Sequence, residues 1–317
     1  MYKKIAVLGG GTGMSYLLRG LKDFPVDITA IITVSDNGGS TGKLRKDFNT
    51  PAVGDIRKVI SNLSSTDESI KKMLEYRFHT TGDLNGHATG NLILTAMLDI
   101  TGSLKSSIAA LSKLLDVRHT VLPVSEDCNL TLMGETIDGG IVEGEAEITA
   151  ANKRFKRIFY KEEPKVLPEV VCAIMDADLV IISMGSLFTS ILPNVLCKEV
   201  SGALRATKAK VMYLCNAMTQ PGETDHFGVS DHVNLLNSYI GQDRIDVVIA
   251  SNTNIDRRIA SKYETEEQKD PVFIDYPTLD SMRVELIEDD LLCVVDGALR
   301  HNSLKLSSLI FSYLMRD

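Results

Sequence analysis

Asp36 and Asn37 close an apolar run, DITAIITV (27–34), and are followed at once by Gly38, Gly39, Ser40 and Thr41. A carboxylate and an amide oxygen at a strand end can help hold Mg²⁺, glycines leave backbone N–H groups open, and hydroxyls donate to a phosphate or cap a helix. An Asx-turn leading into a helix cap is the plainer reading of the same residues. A second glycine group stands earlier: Gly9, Gly10, Gly11, Thr12 and Gly13 end the run IAVL (5–8), after which Leu17, Leu18 and Leu21 recur at helical spacing. The pattern is strand, sharp turn, helix, and the exposed amides and helix dipole at such a turn suit a phosphate. GGGTG is neither the dinucleotide GxGxxG fingerprint nor a P-loop ending in GK[ST], so an anion site and a purely structural turn both stand open.

Further polar groups recur at comparable places. Asp55 opens a helix within PAVGDIRKVI (51–60), as a candidate general base or an acid that favours the helix dipole. His87 and Asn91 lie four apart at a helix start among Gly82, Gly86 and Gly90, so both can face one ligand, the alternative being a locally hydrogen-bonded histidine. Gly185 and Ser186 follow one later strand; Asn216, Thr219 and Gln220 follow the next; Ser251, Asn252 and Asn254 follow a third. Arg300, in the turn DGALRH (296–301), can clamp a phosphate bidentately or pair with a surface carboxylate. Tyr263 can stack on a base or pack in the core.

The elements that must position these residues alternate strand and helix. Strands are expected at 5–8, 27–34, 117–124, 179–183, 211–215 and 245–250, and helices at 67–78, 104–115, 168–176, 196–207 and 230–240, with a closing strand, turn and helix. Continuous apolar strands belong to a parallel sheet covered on both faces. In such an open α/β sheet the strands' carboxyl ends share one crevice, here supplied by loops from five strands. Residues 129–160 differ: they alternate with period two around a DGG turn and read as a β-hairpin or small meander inserted beside the sheet.

Composition narrows the function class. The chain has 317 residues, 44% hydrophobic and 24% charged, enough for a large core. Its net charge of −8 argues against general nucleic-acid binding. The charge is uneven: residues 1–60 hold nine Lys/Arg against five Asp/Glu, and residues 261–290 hold three against ten. A basic N-terminal part suits a small phosphorylated ligand, and the acidic run reads as a solvated face. There is no signal-type apolar segment and no apolar run approaching 18 residues, so a cytoplasmic protein without membrane insertion is expected. Cys128, Cys172, Cys197, Cys215 and Cys293 form no CxxC pair and read as reduced, mainly core, residues. The composition leaves a homo-oligomer open.

Taken together, GGGTG (9–13), DNGGSTG (36–42), PAVGDIRKVI (51–60), GHATGNL (86–92), MGSLFTSILPN (184–194), CNAMTQPGETD (215–225) and DGALRH (296–301) resemble the CofD-like superfamily, and within it the YvcK or gluconeogenesis-factor branch. The resemblance runs in order through nearly the whole chain. It implies a single α/β domain over 1–317, Rossmann-like and doubly wound with a mainly parallel sheet and a small β-rich insertion at 129–160. It also implies binding of a nucleotide sugar of the UDP-N-acetylglucosamine type, and a cytoplasmic role in carbon metabolism, cell shape and wall precursor supply. The superfamily's other branch, the 2-phospho-L-lactate transferases, uses Mg²⁺ to move a phospholactyl group from a guanosine diphosphate carrier to a deazaflavin. Carried over, Asp36 marks the metal and diphosphate loop. Many relatives have two consecutive acids where this chain has Asp36 and Asn37, and one carboxylate fewer weakens an Mg²⁺ site.

Two functions follow as expectations. One is a binding protein without catalysis, holding the diphosphate over residues 9–13 and 38–40, with Asn216 and Thr219 shaping the nucleoside pocket and Arg300 on phosphate. The other is a transferase acting on a nucleoside diphosphate carrier, with Mg²⁺ at Asp36 and His87 or Asp55 as base.

Overall fold

Strand-forming runs rich in Val, Ile and Leu, buried on both faces, pair in this protein into one parallel sheet. The computed structural model describes residues 2–295 and 297–316. In chain order the strands are β1 (Lys3–Gly9), β2 (Val26–Ile32), β3 (Thr120–Pro123), β4 (Leu132–Thr136), β5 (Ile141–Glu143) and β6 (Phe155–Tyr160). They continue with β7 (Leu179–Ile182), β8 (Lys210–Leu214), β9 (Val247–Ser251), β10 (Glu285–Asp289), β11 (Leu292–Val295) and β12 (Ala298–His301). The main sheet has seven strands in the order β10-β9-β8-β7-β1-β2-β3, every pair parallel.

The order reverses at β1. The chain first winds outward through β2 and β3, then returns to β1's other side with β7 and winds outward again. In an open α/β sheet such a reversal leaves a crevice at the carboxyl ends of the two central strands, here β1 and β7. Ile5, Val7, Ile28, Ile31, Val180, Ile181 and Val248 are all buried, so the sheet is covered on both faces. Helix Gly11–Leu21 packs between Gly54–Leu63 and the closing helix Ser303–Leu314, and buries Met14, Leu17, Leu18 and Leu21.

Four local expectations need correction. Residues 129–160 do form a three-stranded antiparallel sheet, β5-β4-β6, but helix Glu145–Ala150 lies between β5 and β6. Gly144, at φ +104°, turns the chain out of β5, and Glu145 and Glu147 occupy the first turn of that helix, where its dipole favours acids. The acidic run is not wholly a solvated face: Glu285–Asp289 is β10, an edge strand whose Ile287 is buried while Glu285, Glu288 and Asp289 stay exposed. Arg300 and His301 lie in β12 of a separate β11-β12 hairpin rather than in a turn, and Asp296 of the same motif lies outside the described residues. The loop expected to carry Gly185 and Ser186 after β7 is brief and passes at once into a π-helical segment, Leu187–Ile191, that runs into Leu192–Val195.

The cysteines carry no disulfide among the described residues, yet only Cys197 and Cys215 are buried, and Cys172 is exposed. No described helix is long and apolar enough to cross a membrane.

Candidate functional site

At the β1/β7 reversal the chain forms a cavity of about 360 Å³. Thr12 and Gly13 line it from the turn after β1, Gly185 from the loop after β7, Asn216 from the end of β8, and Tyr263 and Arg300 from the far side. The walls approach closely because glycines permit it. A Cβ on Gly13 would lie 2.9 Å from both the carbonyl carbon and Cγ of Met184, with the carbonyl oxygen nearer still. Asn216 then ties the loop after β7 to the end of β8: its Oδ1 accepts the Gly185 N–H at 3.0 Å and its Nδ2 donates to the Gly185 carbonyl at 2.6 Å.

The opposite wall is built differently. Tyr263 is buried against β12, its hydroxyl accepting the Leu299 N–H at 2.7 Å. Arg300 stands exposed, with its guanidinium carbon 5.8 Å from the centre of the Tyr16 ring. A planar cation thus stands at the rim, a tyrosine on the wall, and at the floor two glycine backbones and a side-chain amide, the Asn216 amide and the Gly185 peptide groups being bonded to each other. His301 shares the lining, and burial pushes its imidazole down to about 4, so it stands neutral at pH 7.

The other residues of the first turn are used in packing. Gly9 ends β1 where any Cβ would overlap the Ser183 side chain. Gly10 caps helix Gly11–Leu21, and Gly11, at φ +67°, donates its N–H to Asp55 Oδ2 at 2.5 Å. A carboxylate from helix Gly54–Leu63 therefore sits at this helix N-terminus, and Lys58 pairs with its other oxygen at 2.9 Å.

The second glycine loop is also bonded internally. Asp36 Oδ1 accepts the Gly38 N–H at 2.8 Å, an Asx-turn, and helix Gly39–Phe48 starts directly after it. Asn37 holds the insertion: its Nδ2 donates to Glu147 Oε2 at 2.7 Å and its Oδ1 accepts the Ala146 N–H at 2.9 Å. Arg45 clamps the same junction with four donated bonds, to the carbonyls of Ser35, Asp36, Cys128 and Leu130. Ser40 is buried between His87 Nδ1 and Asn91 Nδ2, each 3.2 Å away, and Asn91 Oδ1 accepts from Arg57 Nε at 3.0 Å. His87 and Asn91 do converge on one partner, and that partner is Ser40.

Acidic groups gather where the loops meet. Loss of solvent raises the Asp36 carboxyl, and the Asp55 charge adds to the rise against the Gly38 N–H. Glu145, carried in by the insertion and bonded to Ser35 Oγ at 3.1 Å, is pushed well above the usual carboxylate range, first by burial and then by Asp36 and Asp55. Among the described residues no group of three His, Cys, Asp or Glu side chains is arranged to hold a metal ion.

Ser186, Thr219 and Gln220 hold loops in shape. Ser186 donates to the buried Glu223 at 2.6 Å and accepts the Thr189 N–H at 3.1 Å. Burial raises the Glu223 carboxyl, opposed by the Ser186 hydroxyl and the Phe188 N–H. Thr219 exchanges two bonds with Asp270, its N–H donating to the Asp270 carbonyl and its Oγ1 accepting the Asp270 N–H. Gln220 donates its N–H to Thr224 Oγ1 at 2.8 Å.

Sequence reasoning left Arg57, Tyr16, Glu145 and Glu223 off the list of site residues. Arg57 carried a signal, a cation between the apolar positions Ile56, Val59 and Ile60 of one helix. Glu145 carried none, because its place depends on how residues 129–160 fold back.

The sequence profile of the family described as 2-phospho-L-lactate transferase CofD matches residues 5–292. The gluconeogenesis factor of Bacillus subtilis (strain 168) is 44% identical over 312 residues, covering 98% of each chain. That of Halalkalibacterium halodurans is 42% identical over 309 residues, covering 97% of this chain and 95% of its own. A crystal structure of a Bacillus halodurans protein superposes with a TM-score of 0.95 at 41% identity, covering 98% of this chain and all of that one. With a fold that superposes over nearly its whole length and a sequence match of the same extent, the chain belongs to the CofD-like family, in its gluconeogenesis-factor branch.

Proposed function

We propose that this protein binds a nucleotide sugar of the UDP-N-acetylglucosamine type and acts as a regulatory protein of the cytoplasm, in carbon metabolism, cell shape and wall precursor supply. The observation that carries the reading is the cavity at the β1/β7 reversal, where the backbone of Gly13 and Gly185, the Asn216 amide, the Tyr263 ring and the Arg300 guanidinium border one space of about 360 Å³. That volume falls within the range of small-molecule pockets. The gluconeogenesis-factor names of its relatives agree with a role in carbon metabolism. Asp36, Asn37, Ser40, His87 and Asn91 then support the loops around the ligand.

A transferase reading is favoured by the description of the matching family and by the Asp55 charge that adds to the rise of the Asp36 carboxyl. Mg²⁺ commonly rests on one or two carboxylates plus the phosphates of its ligand. Asp36 would hold it here, and the ion would supply charge stabilisation at the diphosphate.

Isothermal titration with UDP-N-acetylglucosamine and with GDP, each with and without Mg²⁺, separates the two. Metal-independent uridine nucleotide binding without turnover is expected. In Arg300→Ala that binding should weaken by about 1.5 to 3 kcal/mol, the worth of a charge-assisted hydrogen bond. Binding of GDP alone, strictly dependent on Mg²⁺ and followed by product release, would refute the binding-protein reading.

A further inference from the structure

A second and larger cleft, of about 640 Å³, lies on the other side of Tyr16 from the nucleotide cavity. Three helices wall it, Gly11–Leu21, Gly54–Leu63 and Glu68–Glu75. Thr12 and Tyr16 line both spaces. Seven Lys/Arg side chains border this cleft against three Asp/Glu, a balance of +4 in a chain whose net charge is −8.

Five of the seven cations have partners: besides Arg57, Lys71 stands 3.9 Å from Glu68 and Arg77 donates to the Gly86 carbonyl at 2.9 Å. Lys58 pairs with Asp55, and Lys22 donates to the carbonyls of Asn62 and Ser64. Arg19 and Lys72 make no side-chain hydrogen bond or ion pair among the described residues.

Arg57 is the anchor. It is 5% exposed, and its Nε donates to Asn91. The nearest carboxylate to its Nη1 is Glu75, 4.0 Å away and itself half exposed. A guanidinium this buried is normally compensated by a close carboxylate or another anion. Its stem runs across Gly90, where a Cβ would lie 2.7 Å from Arg57 Cδ, so the fold reserves a slot that delivers this cation to the cleft. The Asn91–Ser40–His87 chain fixes its orientation from behind.

We propose that this cleft is a second ligand site, for a small polyanion carrying two or more phosphate groups, distinct from the nucleotide cavity and adjoining it through Tyr16. A concave space of this volume fits a small molecule, its lining is charged rather than apolar, and the acidic chain as a whole repels an extended nucleic acid. The inference does not rest on the identity of the nucleotide.

The test uses the full chain and inorganic tripolyphosphate, titrated calorimetrically at low ionic strength, with pyrophosphate and citrate as companions. Saturable binding of one tripolyphosphate per chain is expected, stronger than that of pyrophosphate, and weakening as salt screens the cleft. The double variant Arg19→Glu, Lys72→Glu should lose at least tenfold in tripolyphosphate affinity while its thermal unfolding and its UDP-N-acetylglucosamine binding stay those of the wild type. Lys72→Gln alone should lose a few-fold. Arg300→Ala should keep full tripolyphosphate affinity. Absence of tripolyphosphate binding, undiminished binding in the double variant, equal loss in Arg300→Ala, or preference for citrate over tripolyphosphate would each overturn the proposal. Failure of the nucleotide sugar to bind, with tripolyphosphate still held by Arg19 and Lys72, would defeat the nucleotide reading and leave the second site standing.

Discussion

Gly13→Ala tests the cavity at its narrowest point. Gly13 does not have a positive φ, so alanine suits its backbone and the whole effect comes from space. The added Cβ would meet the Met184 carbonyl carbon at 2.9 Å, where ordinary van der Waals contact begins at 3.4 Å, so one wall must retreat by at least half an ångström. The obstacle is main chain, which cannot swing aside as a side chain does. It is also held in place, because Gly185 is bonded twice to Asn216. Overpacking of this kind costs about 1 to 3 kcal/mol. For a chain of 317 residues, with an unfolding entropy of about 2.1 cal/mol/K per residue, each kcal/mol moves the melting temperature by about 1.5 °C. The displacement passes from Met184 through Gly185 to Asn216, so the cavity floor shifts with it. Urea unfolding of the free protein should show the loss of stability, and calorimetry with UDP-N-acetylglucosamine should show at least tenfold weaker binding, while Gly39→Ala, with nothing within 4 Å of its Cβ, should leave the ligand affinity intact and pay only for its φ of +46°. A Gly13→Ala protein with wild-type stability and affinity would refute the claim that this contact sets the cavity.

Arg45→Met removes a cation that serves four carbonyls at the junction of the second loop and the insertion. It should cost about 2 to 4 kcal/mol in urea unfolding, since part-buried acceptors lose their donors; a loss below about 0.5 kcal/mol would show that solvent replaces the guanidinium. Glu145→Gln should stabilise the protein near neutral pH. A raised carboxyl favours the folded state below the ordinary glutamate range and loses that advantage as pH rises, so the gain in melting temperature should appear at pH 8 and vanish near pH 4. His232, fully buried and hydrogen-bonded to the Tyr213 hydroxyl at 3.0 Å, is lowered by burial to about 4. It favours the folded state above pH 6.5 and should withdraw about 3 kcal/mol as pH falls from 6.5 to 4, a slope that His232→Gln should flatten in acid titrations followed by circular dichroism.

The sheet was legible because its strands are continuous apolar runs ended by polar loops, and burial on both faces permits no other arrangement. Of the five strand-end loops expected to share one crevice, those after β1, β7 and β8 border one cavity together with Tyr263 and Arg300, whereas residues 36–40 and 251–254 do not line it. What the residues of DNGGSTG bond to was not legible. Asn37 reads as a ligand contact by type, yet its amide is satisfied by Ala146 and Glu147, more than a hundred positions away. Only the path of the insertion decides this, and a period-two pattern cannot announce a six-residue helix inside it. β10 was hidden for a related reason: only Ile287 is buried there, so an edge strand presents an acidic face that periodicity cannot separate from a loop.

That strand bears on how copies of this protein can meet. An open sheet ends in two rows of free backbone groups, which invite pairing with another chain. Here one border carries Glu285, Glu288 and Asp289 outward, so two such borders repel each other as they approach. The opposite border, β3, is four residues long and ends in Pro123, which lacks an N–H to offer. Both borders of the main sheet are therefore poor templates for strand addition, guarded on one side by charge and on the other by brevity and a missing N–H.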